Sequence, residues 1–329
     1  MSSVAVIIVN YNGGALLRQC LQAVEAQTIR PDRVLVLDNG STDGSVEACR
    51  AAMPSVEFHE LNANLGFARA NNLGIEMADG CEWVALLNPD AFPEPGWIEA
   101  FQRASSRYPT FDAFACRMLY AADPTIADGA GDAYRVDGLA WARHQGRPAS
   151  AMPAAPEEVF SPCAGAAFYR RSVVAEIGGF CERYFCYYED VDLGFRLRLR
   201  GGRSLYLPDA VVHHMGSAIT GKASAFSVYH VHRNVVWTYL RNMPGVLVWW
   251  YLPAHVAANL ASVALFVRKG HGRTILRAKR DALLGVPRTL AERWRIQSTR
   301  LTTPSDLLAV MERGSLLSSV VNRVIRRRG

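Results

Sequence analysis

Apolar and polar positions alternate in blocks over the first 90 residues. Val4–Val9 is a short, continuous run of mostly β-branched residues, which predicts a buried strand. Asn10–Gly14 follows as a polar turn, and Leu16, Leu17, Cys20, Leu21 and Val24 then recur at helical spacing. The block recurs. Val34–Leu37 predicts a strand, Asp38–Ser45 a turn and cap, and the chain through Ala51 a helix. Val56–Leu61, Asn64–Gly66 and a helix through Ala78 come next, then Trp83–Leu87 with Asn88-Pro89-Asp90 at its end. Strand, polar turn and helix in this order predict an α/β fold with a mostly parallel, ligand-binding sheet flanked by crossover helices. Ligands of such sheets sit outside the carboxyl ends of the strands, where all four polar turns fall.

Beyond Asp90 the pattern is less regular. Pro95–Arg107 predicts a helix with proline in its first turn, and Ala113–Met118 a strand. Ala121–Pro156, rich in Gly, Ala, Asp and Pro, reads as loops with one hairpin, of the kind that carries specificity or forms a lid. Gly165–Tyr169 predicts a strand and Arg171–Gly178 a short helix. Arg203–Leu207 and Ala210–Val212 predict two strands leading into His213-His214-Met215-Gly216-Ser217. Between them, Phe185–Gly201 sets Glu189, Asp190 and Asp192 just after an aromatic run. Leu193, Leu197 and Gly201 continue it at helical spacing, with arginines on other faces. Acids at a helix start are favoured by the helix dipole, so alone this cluster reads as a cap.

Composition sharpens the picture at the tail. The 329 residues are half apolar and one-fifth charged, which excludes a disordered chain. From Arg268 to Gly329 there are fifteen Lys/Arg against four Asp/Glu, a net +11, so the remainder carries −5. A slightly acidic body with a basic tail points the tail at an anionic surface. Ahead of that tail, Met243–Val267 contains no Asp, Glu, Lys or Arg; Trp249, Trp250 and Tyr251 cluster near one end, and Pro253, His255 and Asn259 interrupt it. This predicts an interfacial or re-entrant segment in preference to a single span, followed by basic stretches up to Arg326-Arg327-Arg328. A buried helical hairpin is the competing reading. The expected domains are 1–240, catalytic, and 241–329, helical, basic and membrane-associating. Seven scattered cysteines with no C-x-x-C pair predict reduced thiols in the cytoplasm, and Val4–Val9 is too short for a secretory leader.

A nucleoside-diphosphate ligand at these strand ends needs a grip on base and ribose, a divalent cation and a base for the nucleophile. Asn10–Asn12 and Asp38 suit the first, Asp90 suits Mg²⁺ or Mn²⁺, and Asp190 suits the third. His213 or His214 suits the metal shell or the diphosphate. Neither G-x-G-x-x-G nor the Walker motif is present, so no dinucleotide or P-loop cradle is indicated.

Taken in order, Val9-Asn10-Tyr11-Asn12, Asp38–Ser45, Asn64-Leu65-Gly66-Phe67-Ala68, Leu86–Asp90, Gly178-Gly179-Phe180, Glu189–Leu193 and His214–Ser217 resemble family 2 glycosyltransferases of the GT-A fold, rhamnosyltransferase-like members in particular. The resemblance covers residues 4–240. It implies inverting transfer of a sugar, rhamnose first, from a nucleoside-diphosphate sugar. Thymidine-diphosphate rhamnose is the leading donor and a uridine-diphosphate sugar the alternative. It further implies a saccharide or lipid-linked acceptor in cell-surface polysaccharide synthesis, at the cytoplasmic face of the inner membrane. By the same resemblance Asp38 recognises the base, and Asn10, Tyr11, Asn12, Asn64, Gly66, Asn72, Asn88 and Asp90 form the nucleotide-sugar site. Asp90 and His214 hold the metal, Asp190 is the general base with Glu189 and Asp192 beside it, and His213 and Arg233 assist at the diphosphate. Asn88 departs from the family's D-x-D motif, in the Asn-Pro-Asp form that recurs among rhamnosyltransferase-like members.

Other classes are weaker. A nucleotidyltransferase of similar half-fold carries a basic Gly-rich loop after its first strand, whereas Asn10–Gly14 has no basic residue. A non-catalytic membrane-surface scaffold, or a nucleotide-sugar binding protein with a decayed enzyme domain, has no need of Asp90, Asp190 and His214 together. The Trp-rich lead-in to the basic tail favours a membrane over a nucleic acid.

Overall fold

The computed structural model describes residues 2–216 and 224–314; Ser217 and Arg326-Arg327-Arg328 lie outside them. The first half follows the alternating blocks: β1 (Val4–Asn10), α1 (Gly14–Glu25), β2 (Arg33–Asp38), α2 (Ser45–Ala52), β3 (Glu57–Glu60), α3 (Phe67–Met77), β4 (Trp83–Leu87), β5 (Ala91–Pro93) and α4 (Trp97–Arg107). Next come β6 (Ala113–Tyr120), β7 (Asp123–Gly129), β8 (Asp132–Tyr134), β9 (Ala140–Ala142), β10 (Glu157–Val159), β11 (Ala166–Arg170), α5 (Arg171–Glu176), α6 (Glu189–Leu199) and β12 (Ser204–His214). Six helices close the described chain: α7 (Ala225–Asn242), α8 (Leu247–Trp250), α9 (Leu252–Arg268), α10 (Gly272–Leu284), α11 (Val286–Ser298) and α12 (Pro304–Val310).

The central sheet has the order β10-β12-β6-β11-β4-β1-β2-β3, with β5 paired to β12 and β7 to β6. β3, β2, β1 and β4 are parallel neighbours, and β12 pairs parallel with β6. β11 runs antiparallel between β4 and β6, so the carboxyl ends of β4, β6 and β12 still face one edge. This is the mixed, mostly parallel α/β sheet expected. Alternation along β1 splits the core in two. Val4, Val6 and Ile8 pack with α1, α2 and α4 residues such as Leu21, Val46 and Phe101. Ala5 and Ile7 pack on the other face with Ile75 of α3, Val174 of α5 and Leu193 and Leu197 of α6.

Three sequence expectations are corrected. Residues 203–207 and 210–212 form one strand, not two; a register shift between Leu207 and Val211 absorbs Pro208-Asp209 as a bulge. The segment 121–156 holds two antiparallel pairings, β6 with β7 and β8 with β9, where one hairpin is expected. α6 ends at Leu199: Gly201 takes φ 89° beyond it, and the Gly202 N–H returns to the Leu197 carbonyl at 2.9 Å. Its arginines are not on an exposed face. Arg196 and Arg198 are buried, the former bonding Asp192 and the carbonyls of Ile177 and Gly179, the latter Glu158 and the Phe160 carbonyl. Asp192 lies one helical turn before Arg196, a spacing that periodicity does show, but Glu158 and the Ile177, Gly179 and Phe160 carbonyls come from other segments, which it cannot show.

The tail folds onto the sheet domain. Tyr239, Met243, Leu247, Val248, Leu307 and Met311 share a cluster with Tyr134, Phe160, Val191 and Phe195. The boundary expected at 240 falls inside α7. The apolar run 243–267 is broken into α8 and α9, and no helix among the described residues is long and apolar enough to cross a membrane.

Candidate active site

A cleft of about 320 Å³ opens at the carboxyl edge of the sheet. Tyr11, Asn64, Gly66, Asn88, Asp90, Glu189, Asp190 and His214 of the expected site residues line it. They arrive from five places: the end of β1, the loop before α3, the end of β4, the start of α6 and the end of β12. Asn88-Pro89-Asp90 closes β4, and β5 then turns back to pair with β12, Ala91 opposite His214. That pairing sets His214 Nε2 3.3 Å from Asp90 Oδ1. His214 Nδ1 lies 2.6 Å from Asp128 Oδ2, and a carboxylate can only accept from a ring N–H. The ring is thereby held with Nε2 toward Asp90 and the cleft. Burial works against charging this imidazole, but its hydrogen bonds to Asp128 and Asp90 carry its pKa up to about 9.

These groups fit a divalent cation in one specific way. No group of three or more His, Cys, Asp or Glu among the described residues could hold a metal ion alone. An oriented imidazole nitrogen and a carboxylate oxygen 3.3 Å apart would supply two donors to a divalent cation, with phosphates and water needed to complete its shell.

Across the cleft stands the start of α6. The Ala164 N–H, at 3.2 Å, and the Val191 N–H, at 2.8 Å, donate to the two oxygens of Asp190. Burial pushes the Asp190 carboxyl above its ordinary range, and those backbone donors act the other way. Asp190 and Glu189 repel each other when both are charged, which favours a proton on one of the two. Burial and then the Asp190 charge push Glu189 well up. Asp132 joins them: burial, followed by the charges of Asp190 and Asp128, raises it well above a normal aspartate.

The loop before α6 is strained. Phe185, Tyr187 and Tyr188 all have φ near 66°, a conformation that non-glycine residues hold only when their surroundings enforce it. Asn234, fully buried, donates to the carbonyls of Tyr184, Cys186 and Tyr187 at 3.1, 3.0 and 2.7 Å. From the other side, the Ala68 N–H donates to the Phe185 carbonyl at 3.2 Å. Gly66, at φ 83°, lies against the Phe185 ring, where an added Cβ would come within 2.5 Å. The Asn-Leu-Gly-Phe-Ala motif is therefore the seat of this aromatic loop.

Other expected site residues stand behind the cleft wall. Asn10 Nδ2 donates to Asp38 Oδ1, Ser41 Oγ and Ser45 Oγ at 3.0–3.1 Å, and Asn12 Oδ1 accepts from the Thr42 N–H at 2.8 Å. Together they pin the β2–α2 turn around Asp38. Asn72 exchanges hydrogen bonds with the Phe180 backbone at 2.7 and 2.9 Å, tying α3 to Gly179-Phe180 rather than facing the cleft. Asp192 is fully buried and bonded to Tyr184, Arg196, Arg241 and Asn242. His213 points to the opposite face from His214, as strand alternation requires, and meets Glu94 at 2.9 Å. Arg233 donates to the carbonyls of Arg183 and Tyr184, at 3.1 and 2.9 Å, and packs over Trp237. Sequence reasoning missed Asp128 and Asp132, and it set Asn234 beside Arg233 at the diphosphate, whereas its amide holds the loop before α6. The two aspartates sit in the irregular 121–156 segment, which has no periodicity to mark them.

Residues 5–178 match the family model described as glycosyl transferase family 2. The chain is 33% identical, over 269 residues, to an N-acetylglucosaminyl-diphospho-decaprenol L-rhamnosyltransferase of Mycobacterium tuberculosis, covering 75% of this chain and 86% of that protein. It is 27% identical over 225 residues to the O-antigen chain rhamnosyltransferase RfbN of Salmonella typhimurium, covering 64% and 66% of the two chains. Among solved structures it resembles GalNAc-T7 with UDP, GalNAc and Mn²⁺ (TM-score 0.63, 17% identity, 80% of this chain and 51% of that one). It also resembles the mannosyltransferase PcManGT of Pyrobaculum calidifontis with GDP-Man and Mn²⁺ (TM-score 0.55, 18% identity, 86% and 87%). At these identities the structural likeness concerns the fold alone.

Proposed function

The chain belongs to glycosyl transferase family 2, and from that premise we propose inverting transfer of a sugar, rhamnose first, from a nucleoside diphosphate to a hydroxyl of a lipid-linked saccharide. The observation that carries this reading is that Asp190 and the Asp90–His214 pair line one cleft at the carboxyl edge of the sheet. Tyr11, Asn39 and Asn64 line the end of that cleft next to the Asp38 turn, where base and ribose bind. Asp190 accepts the proton of the acceptor hydroxyl as that oxygen attacks the anomeric carbon from the side opposite the leaving diphosphate. A divalent cation at Asp90 and His214, when bound, offsets the charge that builds on that diphosphate. Thymidine-diphosphate rhamnose leads as donor because two relatives are named rhamnosyltransferases. The lipid-linked acceptor follows from the first relative's name.

The test is a transfer assay across thymidine- and uridine-diphosphate sugars, with a short-chain lipid-diphosphate saccharide as acceptor. Wild-type protein is expected to turn over thymidine-diphosphate rhamnose fastest, with stimulation by Mn²⁺. Asp90→Ala should bind donor equally with and without Mn²⁺. A metal response unchanged in Asp90→Ala would remove Asp90 from the site.

The reading includes peripheral attachment to the cytoplasmic face of the inner membrane. Support comes from α9, whose polarity is inverted. His255, Asn259 and Ser262 face the protein: His255 Nδ1 donates to the Asp137 carbonyl at 2.7 Å, and Asn259 accepts from Lys279. Val256, Leu260 and Val267 face outward, Leu260 at 64% exposure. A helix bordered by water carries the opposite arrangement. Trp249 and Trp250, the latter 78% exposed, stand at its start, and Arg268 and Lys269 at its end. Wild-type protein is expected to float with anionic liposomes, and Trp250→Ser/Leu260→Ser to stay largely at the bottom of the gradient. Equal flotation of the two would count against this face.

A further inference from the structure

A second pocket, of about 440 Å³, adjoins the catalytic cleft, and Phe226 lines both. It lies between the start of α7 and the first turns of α10, walled by Phe226, Tyr229 and His230 on one side and Arg273, Thr274 and Arg277 on the other. Among the described residues its charged lining is the two arginines. The carboxylate nearest Arg277 is Asp281, at 3.8 Å, and that acid is already engaged by Arg280 at 2.9 Å and by the Tyr229 hydroxyl at 2.8 Å. The guanidinium of Arg277 is held over the Tyr229 ring, 5.4 Å from its centroid. The pocket is therefore cationic, and its walls hold one arginine in place.

Its position gives the charge a meaning. Aromatic rings run from the cleft to the pocket: Tyr187 meets Phe226 at 6.2 Å, and Phe226 meets His230 at 4.2 Å. Phe185, whose loop precedes Asp190, stacks on His230 at 5.5 Å. Arg273, in the first turn of α10, follows Val267, the last residue of the apolar outer face of α9, by six positions. A lipid-linked acceptor has the same order of parts: an apolar chain, a diphosphate, and a sugar whose hydroxyl must reach the base.

We propose that the pocket formed by Arg273, Arg277, Tyr229 and His230 binds the diphosphate of an isoprenyl-diphosphate-linked acceptor, with Phe226 beneath its first sugar. This rests on the acceptor class proposed above. Two arginines suit a diphosphate because each guanidinium can donate paired hydrogen bonds to phosphate oxygens. The diphosphate would be fixed outside the cleft while the sugar extends over the aromatic rings toward Asp190.

The test compares wild type with Arg273→Ala/Arg277→Ala, matched for thermal stability, on two acceptors: a farnesyl-diphosphate-linked saccharide and the same saccharide as an uncharged alkyl glycoside. The variant's KM for the diphosphate acceptor is expected to rise about tenfold or more, with kcat, donor KM and the KM for the alkyl glycoside unchanged. Titration of farnesyl diphosphate itself should show a matching loss of affinity. Equal KM changes with both acceptors, or no change, would overturn the assignment. So would undiminished farnesyl diphosphate binding with lost liposome flotation, which would make the arginines readers of membrane headgroups. If wild type transfers sugar to neither acceptor, the proposed reaction falls, while the farnesyl diphosphate titration still decides the pocket.

Discussion

Asp190→Asn is expected to lower transfer on the order of 10³-fold, the scale of a lost general base, while the protein becomes no less stable. The two effects share one cause. Burial raises the Asp190 carboxyl, so the folded state binds this proton more readily than the unfolded chain does. Stability therefore falls as pH rises through the window between the ordinary aspartate value and the raised one. At neutral pH the buried charge is a cost to folding, and a neutral amide removes it. The same raised carboxyl shapes activity: turnover should rise with pH through its ionisation, and the residual activity of the amide variant should lose that acidic limb. Donor titration should give nearly unchanged affinity, because the Asp90–His214 side of the cleft is untouched. A purified Asp190→Asn protein with wild-type turnover would reject the base assignment.

Asp192→Asn is expected to do the reverse, lowering stability by about 3–5 kcal/mol, the scale of breaking a buried ion pair from one side. Asp192 is 0% exposed and lies 2.8 Å from Arg196 Nε and 3.1 Å from Arg241 Nη1. Removing its charge leaves Arg196 without its anion and Arg241 with Glu292 alone, at 3.5 Å, in a buried setting. Burial alone would raise Asp192, but Arg196 and Arg241 outweigh it and hold the carboxyl below its usual range. The stabilisation is therefore complete above the ordinary aspartate pKa and is lost as pH falls through the depressed one. Urea denaturation at pH 7 and at about pH 2.5, below the ordinary aspartate value, measures both the magnitude and the sign. A variant of wild-type stability with no turnover would move Asp192 into the chemistry.

Two acids two positions apart on α6 thus take opposite roles. The sequence showed only that three acids begin a helix after an aromatic run; helical spacing sends Asp190 and Asp192 in different directions without saying what each meets. Asp190 meets the Ala164 N–H and the cleft, whereas Asp192 meets Arg241 and Asn242 from α7, some fifty residues on. The same limit explains Asn72 and Arg233. Both were expected at the nucleotide-sugar site by the resemblance, and each side chain is used on backbone of the Gly179–Tyr184 stretch.

What the sequence determined by itself is the local layer. Apolar runs bounded by polar turns mark β1, β2 and β4, because a strand buried on both faces tolerates little else, whereas β3 at the sheet edge is only half-buried. Crossover connections between parallel strands then force those polar turns to one edge, which is why the placement of Tyr11, Asn88 and Asp90 in one cleft was legible. Tertiary structure decided the layer that depends on chain return. The insertion of β11 between β4 and β6, the pairing of β5 with β12 that joins Asp90 to His214, and the arrival of Asp128 behind His214 all bring together residues far apart in sequence. The inverted polarity of α9 belongs to the same layer. Its apolar content was plain in the sequence, but which face is outward is fixed only by the Asp137 carbonyl and Lys279, which draw its few polar side chains inward.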